Sequence, residues 1–162
     1  MRFLKLFIYF AIIFYVSGKQ QLYSSASQYK SPDKRVVTLQ NYLSAKKSPL
    51  ASVSNAFIRI ADKYGLDWKL LPAIAGVESG FEKAGNLNDF NPFGIFCGKS
   101  LCSFKNYNEA ITYAGKLIGT SNYYSKFRET KSIQELAVHY NNGEKAWIDS
   151  MNYFIDKLDA IR

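Results

Sequence analysis

Scarcity sets the first limits on this chain of 162 residues. It has two cysteines, Cys97 and Cys102, and one histidine, His139. A structural zinc site takes four ligands of that kind, so this set cannot build one. Dense arginine runs are missing too. The basic residues are scattered, and only Lys34-Arg35 and Lys46-Lys47 are adjacent. Nothing there reads as a nucleic-acid signature. No metal, no cofactor and no nucleic-acid partner are therefore expected. Apolar runs are short: Leu6–Val16 is unbroken but falls below the length of a usual membrane span. What is plentiful is apolar and aromatic material, 48% and 16% of the chain, which excludes a disordered polar chain.

Arg2 and Lys5 precede the Leu6–Val16 run, and the small residues Ser17 and Gly18 follow it. This is the pattern of an export signal over residues 1–18. Phe3 and Leu4 lengthen the run, so a membrane tether through residues 3–16 is the alternative. The expected location is exported: periplasmic, cell-envelope or extracellular. The formal charge of +8 draws the chain toward polyanions without choosing among them. In an oxidising compartment Cys97 and Cys102 pair by default, closing the loop Cys97-Gly98-Lys99-Ser100-Leu101-Cys102. A free cysteine paired with His139 is the competing use.

Residues 19–47 are rich in Ser, Gln and Lys and read as a polar linker, with a short helix around Val36 to Leu43. The folded domain is expected over 48–162. Ser48-Pro49 starts a helix, Leu50, Val53, Phe57, Ile60 and Tyr64 give it an apolar face, and Gly65 stops it. A second helix starts near Lys69, with Pro72 in its first turn, and ends at Gly80. Residues 80–105 break the pattern with Gly85-Asn86, Asn88-Asp89 and Asn91-Pro92, then offer a hairpin around Gly98-Lys99-Ser100. Capping boxes at Asn106–Glu109 and Ser132–Glu135 open two more helices, with a weaker one over Asn122 to Arg128. A last helix, from about Glu144 to Ile161, turns Trp147, Met151, Phe154, Ile155 and Leu158 inward. The fold class is mainly α, with one small β-hairpin inserted after the second helix.

Glu78 stands out within that second helix. Leu71, Ile74, Ala75 and Glu78 share a face at i, i+3, i+4 and i+7. A carboxylate there points toward the core or a cleft in it, where desolvation raises its pKa. The nearby helix C-terminus pushes the same way. A carboxylic acid kept protonated near neutral pH is a general acid. A buried Glu paired with Lys or Arg is the structural alternative. Glu82, Asp89 and Glu109 are the other carboxylates at hand; the first two read as solvated loop charges and the third as a helix cap.

Tyr64-Gly65-Leu66-Asp67, Leu71 to Ala75 and Glu78-Ser79-Gly80-Phe81 together resemble the opening of the lysozyme-like peptidoglycan hydrolases. That group includes the soluble lytic transglycosylases and the autolysin-type N-acetylglucosaminidases. Asn91-Pro92-Phe93-Gly94-Ile95 and Phe104-Lys105-Asn106-Tyr107 resemble the glucosaminidase branch. Ala137-Val138-His139-Tyr140-Asn141-Asn142-Gly143 resembles the Tyr-Asn-x-Gly motif of the transglycosylases. The likeness covers roughly residues 50–158. The Gly-Leu-Met-Gln stretch of many transglycosylases is absent, which leaves the product chemistry open between the two branches.

The resemblance implies a lysozyme-like fold and cleavage of the β-1,4-linked backbone of peptidoglycan, whose glycan strands are the expected partner. Glu78 would protonate the leaving oxygen. No second carboxylate stands out, which fits a mechanism in which the substrate's own N-acetyl group attacks. Tyr140 and Asn141 would hydrogen-bond the sugar. Asn91, Gly94 and Ile95 would wall the cleft, Phe96 and Tyr107 would stack on sugar faces, and Ser79 would orient Glu78 or cap the helix end. A non-catalytic glycan-binding module on the same fold, and a basic membrane-active toxin, are the competing functions.

Overall fold

A computed structural model describes residues 31–83 and 89–161. The export signal or tether of residues 1–18, the linker up to residue 30 and the turn formers Gly85, Asn86 and Asn88 lie outside the described residues. Residues 33–162 make one compact unit. Among the described residues it holds seven α-helices and one two-stranded antiparallel ribbon, so the mainly helical class with an inserted hairpin holds. None of the described helices is long and apolar enough to cross a membrane.

The ordered domain starts earlier than the linker reading placed it. Helix α1 (Lys34–Ala45) is capped by Asp33, whose side chain accepts from the Arg35 amide. Leu39 and Leu43 from α1 are fully buried. Each contributes roughly 1.5–3 kcal/mol by leaving water. Arg35 also bridges to Asp62 through two bonds of 2.7 and 2.8 Å. That exposed pair contributes about 0.2–1 kcal/mol. Polar composition misled here: four apolar side chains at helical spacing, Val36, Leu39, Tyr42 and Leu43, suffice to dock a helix whose remaining face is solvated.

Ser48 caps as expected, accepting from the Leu50 amide with Pro49 next to it, but the first turn is a 3-10 helix (Pro49–Val53). Helix α2 (Ser54–Tyr64) follows and ends on Gly65 in the left-handed conformation. Helix α3 (Leu70–Ser79) starts where Pro72 requires and ends on Gly80, also left-handed. Strands β1 (Phe96–Cys97) and β2 (Ser100–Leu101) pair Phe96 with Leu101 and Cys97 with Ser100, and Cys97 is disulfide-bonded to Cys102. Helix α4 (Tyr107–Thr120) is capped by Asn106, whose side chain accepts from the Glu109 amide.

A 3-10 turn (Asn122–Tyr124) leads into α5 (Ser125–Thr130), then α6 (Ile133–Tyr140) and α7 (Lys145–Asp159). The capping box expected at Ser132 does not form: its hydroxyl donates to Gln134 rather than serving an α6 amide. Helix α3 is the centre of the domain. Leu70 through Gly76 are all buried, with α7 and α2 packed against it. Helices α2 and α4 approach so closely that a Cβ on Gly115 would meet Ile60 at 2.2 Å.

Candidate active site

Because α3 is buried on every side, it has no single apolar stripe, and the placement expected for Glu78 is corrected. Glu78 lies in the last turn, where the helix emerges, and its side chain is open to solvent on one side. Its carboxylate is nonetheless held. The Trp147 indole donates from Nε1 to Oε1 of Glu78 at 2.7 Å. Oε2 lies 3.2 Å from the point a Cβ on Gly94 would occupy. Partial burial pushes the Glu78 pKa above the ordinary carboxylate value, and the Trp147 hydrogen bond partly opposes that rise. The carbonyl end of α3 works in the same direction as burial. No Lys or Arg salt-bridges to Glu78 among the described residues. The structural ion pair is therefore absent there.

The loop facing Glu78 is fixed by side chains expected to bind substrate. Asn91 donates to the carbonyls of Ile95 and Cys102 and accepts from the Ile95 amide, at 2.9, 3.0 and 3.1 Å. Its amide group is thus spent on loop geometry. Ser79 is buried; its hydroxyl lies 2.9 Å from the Ala75 carbonyl and 3.0 Å from the Pro92 carbonyl, and it accepts from the Glu82 amide. It pins the end of α3 to the loop and leaves Glu78 itself untouched. Gly94 takes φ of +62°, and with no side chain it leaves room for the Glu78 carboxylate.

Tyr140 ends α6. Its ring stacks on Trp147 with centroids 5.4 Å apart, and its hydroxyl donates to the Phe93 carbonyl at 2.8 Å. Burial pushes its pKa well above the usual phenol value, and the Glu78 charge adds to this. Asn141 accepts from the Glu144 amide and so braces the start of α7.

Beside Glu78, across Gly94, a hollow of about 250 Å³ opens. Gly94, Ile95, Phe96 and Tyr140 line it as expected, joined by Leu117, Tyr124 and His139. Phe96 is 64% exposed, free to stack on a ligand. Tyr107 is elsewhere: its ring packs edge-on against Phe90, and it does not line the hollow. A larger cavity of about 480 Å³ lies by Leu66, Asp67, Phe127, Lys131 and Ile155 and contains none of the expected site residues. The smaller hollow is the one that adjoins the candidate carboxylate, through Gly94.

Two residues carry more than their sequence pattern indicated. Trp147 reads as core, and its ring is buried; the signal for its second role is that a buried indole N–H needs an acceptor. Glu82, expected in solvent, is 2% exposed. Its carboxylate oxygens have no hydrogen-bond partner among the described residues. Burial raises its pKa; the Ser79 hydroxyl opposes this and Asp89 adds to it. His139 has no cysteine to pair with, since both are in the disulfide. Among the described residues no cluster of three metal-ligating side chains forms.

No family model, curated protein or solved structure matches the chain.

Proposed function

We propose that this protein is a peptidoglycan-cleaving glycosidase of the lysozyme-like kind, with Glu78 as its single catalytic carboxylate. One observation carries the reading. Glu78 is a carboxyl of raised pKa, free of a salt bridge among the described residues, braced by Trp147 and set against Gly94, which lines a hollow with aromatic walls. That is what a general acid acting on a glycan requires. The order of motifs from Glu78-Ser79 through Asn91–Ile95 to Tyr140-Asn141 supports the same reading, because those segments meet around one carboxylate.

In the reaction, the protonated Glu78 gives its proton to the leaving glycosidic oxygen as the anomeric carbon gains oxocarbenium character. The N-acetyl oxygen of that same sugar closes onto its anomeric carbon as the bond to the leaving oxygen breaks. Glu78, now a carboxylate, takes a proton back from the group that opens the intermediate, either water or the sugar's own 6-hydroxyl. Trp147 stabilises the carboxylate between these steps. Glu82 takes no direct part: it is buried beneath the Ser79 junction and reaches no solvent.

Release of dye from labelled cell-wall sacculi tests this. The native protein releases dye and Glu78→Gln does not, while both sediment with sacculi. Equal release by the two proteins sinks the reading. Binding by both with release by neither leaves a glycan-binding module instead. Leakage of lipid vesicles that Glu78→Gln does not alter supports the membrane-active alternative.

A further inference from the structure

Helices α1 and α7 carry the same pattern, Tyr-x-x-x-Lys, at Tyr42–Lys46 and Tyr153–Lys157. That spacing sets each lysine one turn from its tyrosine on the same helix face. Lys46 Nζ is 5.6 Å from the Tyr42 ring centre, and Lys157 Nζ is 5.3 Å from that of Tyr153. A chain of rings joins the two pairs. Tyr42 meets Phe81, Phe81 meets Phe154 and Phe154 meets Tyr153, each edge-on, with centroids 5.6, 5.0 and 5.3 Å apart. Phe81 is buried beneath this row, whereas Tyr153 is 53% exposed. Lys46, Lys47 and Lys157 are exposed, and none forms a salt bridge among the described residues. Asp156 is their acidic neighbour, one step round α7 from Lys157.

This row of rings lies behind the candidate acid. Gly76 of α3 approaches it so closely that a Cβ there would meet Phe81 at 2.7 Å and Phe154 at 3.0 Å. Glu78, two residues on, projects about 200° round the same helix. The Tyr–Lys face and Glu78 therefore lie on opposite sides of α3. Ammonium groups alone suit any polyanion. Phenol rings with lysine stems laid across them suit a lipid interface, where the rings sit at headgroup depth and the ammonium groups meet phosphates. Both readings of residues 1–18, export signal and tether, bring the chain to a membrane.

We propose that the face formed by Tyr42, Lys46, Lys47, Tyr153 and Lys157 docks on an anionic lipid surface. The lysines pair with headgroup phosphates, and the Tyr153 ring enters the interface. Docked so, the protein turns Glu78 away from the lipid. The docking does not depend on the glycosidase reading.

Vesicle sedimentation tests this with residues 19–162, which contain the whole compact unit and lack the apolar run. The native protein binds vesicles of mixed phosphatidylglycerol and phosphatidylcholine at about 0.1 M salt and leaves pure phosphatidylcholine vesicles. Each lysine at such a surface contributes about fivefold, so Lys46→Gln with Lys157→Gln lowers partitioning by about 25-fold. Lys116→Gln with Lys126→Gln removes the same charge from α4 and α5, outside this face, and lowers it by no more than about twofold. Tyr153→Ser weakens binding severalfold and still does so at about 0.5 M salt, where the lysine contribution is screened. Equal thermal midpoints exclude unfolding as the cause. Equal loss in the two lysine pairs reduces the effect to net charge and overturns the proposal. So does full competition by soluble polyphosphate with no effect of Tyr153→Ser, which names a polyanion as the partner. No cleavage enters these measurements, so their failure leaves the glycosidase reading standing, and an inactive Glu78 leaves the docking face.

Discussion

Gly94 and Gly98 form a matched pair that isolates the geometry at Glu78. Both have positive φ, +62° and +74°. An alanine at either position pays about 1–2 kcal/mol for the left-handed conformation. Only one has a neighbour. A Cβ at Gly94 lands 3.2 Å from Oε2 of Glu78, whereas a Cβ at Gly98 meets nothing within 4 Å. That 3.2 Å is a few tenths of an ångström inside an ordinary carbon–oxygen contact. The Glu78 carboxylate has to yield by that much, against the 2.7 Å bond from Trp147. A misplacement of 1 Å costs on the order of 100-fold in rate, so a shift of a few tenths costs about five- to tenfold. Gly94→Ala and Gly98→Ala should therefore lose similar stability, lowering Tm by roughly 3–8 °C each. Only Gly94→Ala should lose rate in the sacculus dye-release assay, run well below both midpoints. Native rates in Gly94→Ala, or equal loss in both, would refute the claim that the carboxylate facing Gly94 does the chemistry.

Three further predictions address the rest of the structure. Trp147→Phe keeps an aromatic ring against Tyr140 but removes the N–H that lowers the Glu78 pKa, so the alkaline limb of the pH–rate profile moves to higher pH; an unmoved limb contradicts the Trp147 assignment. Glu82 has a folded pKa above its ordinary value, so the folded state holds its proton longer than the unfolded state does, and stability falls as pH rises above about 4.5 toward the raised folded value. Glu82→Gln should flatten that fall in thermal melts across pH 4 to 8, and an unchanged slope rejects a buried Glu82. Leu39→Ala should cost about 2–5 kcal/mol in urea unfolding, since Leu39 is fully buried; a cost under 0.5 kcal/mol would return residues 34–45 to the linker.

Helix ends were the most legible part of this fold, because they depend on local chemistry. Gly65, Gly80, Pro49, Pro72 and Asn106 act where their backbone preferences put them. The disulfide was legible from two close cysteines and an expected compartment. Helix α1 was legible as a short helix around Val36 to Leu43, but its docking was not, because its length is mostly polar and its burial depends on partners distant in sequence. The catalytic candidate was found through a reason that the structure revises. Period 3.6 assumes one wet face, and α3 has none until it emerges at Glu78. Asn91, read as cleft wall, and Ser79, read as orienting Glu78 or capping its helix, both spend their polar groups on fastening the loop that a substrate would meet. Side chains that shape a site and side chains that touch a ligand are the same residue types in sequence. Trp147 and Glu82 escaped for a related reason: a ring on an apolar stripe and a charge in a loop look ordinary until the chain brings one to a carboxylate and buries the other.

The central claim is that Glu78 delivers a proton to a peptidoglycan glycosidic bond. Mass spectrometry of purified peptidoglycan digested with residues 19–162, beside the same digest with Glu78→Gln, tests it most directly. The account predicts new glycan ends from the native protein alone. Anhydro ends would place the chemistry with the lytic transglycosylases, and reducing ends with the hydrolytic enzymes. Peptidoglycan left intact by the native protein, or cut equally by Glu78→Gln, would contradict it.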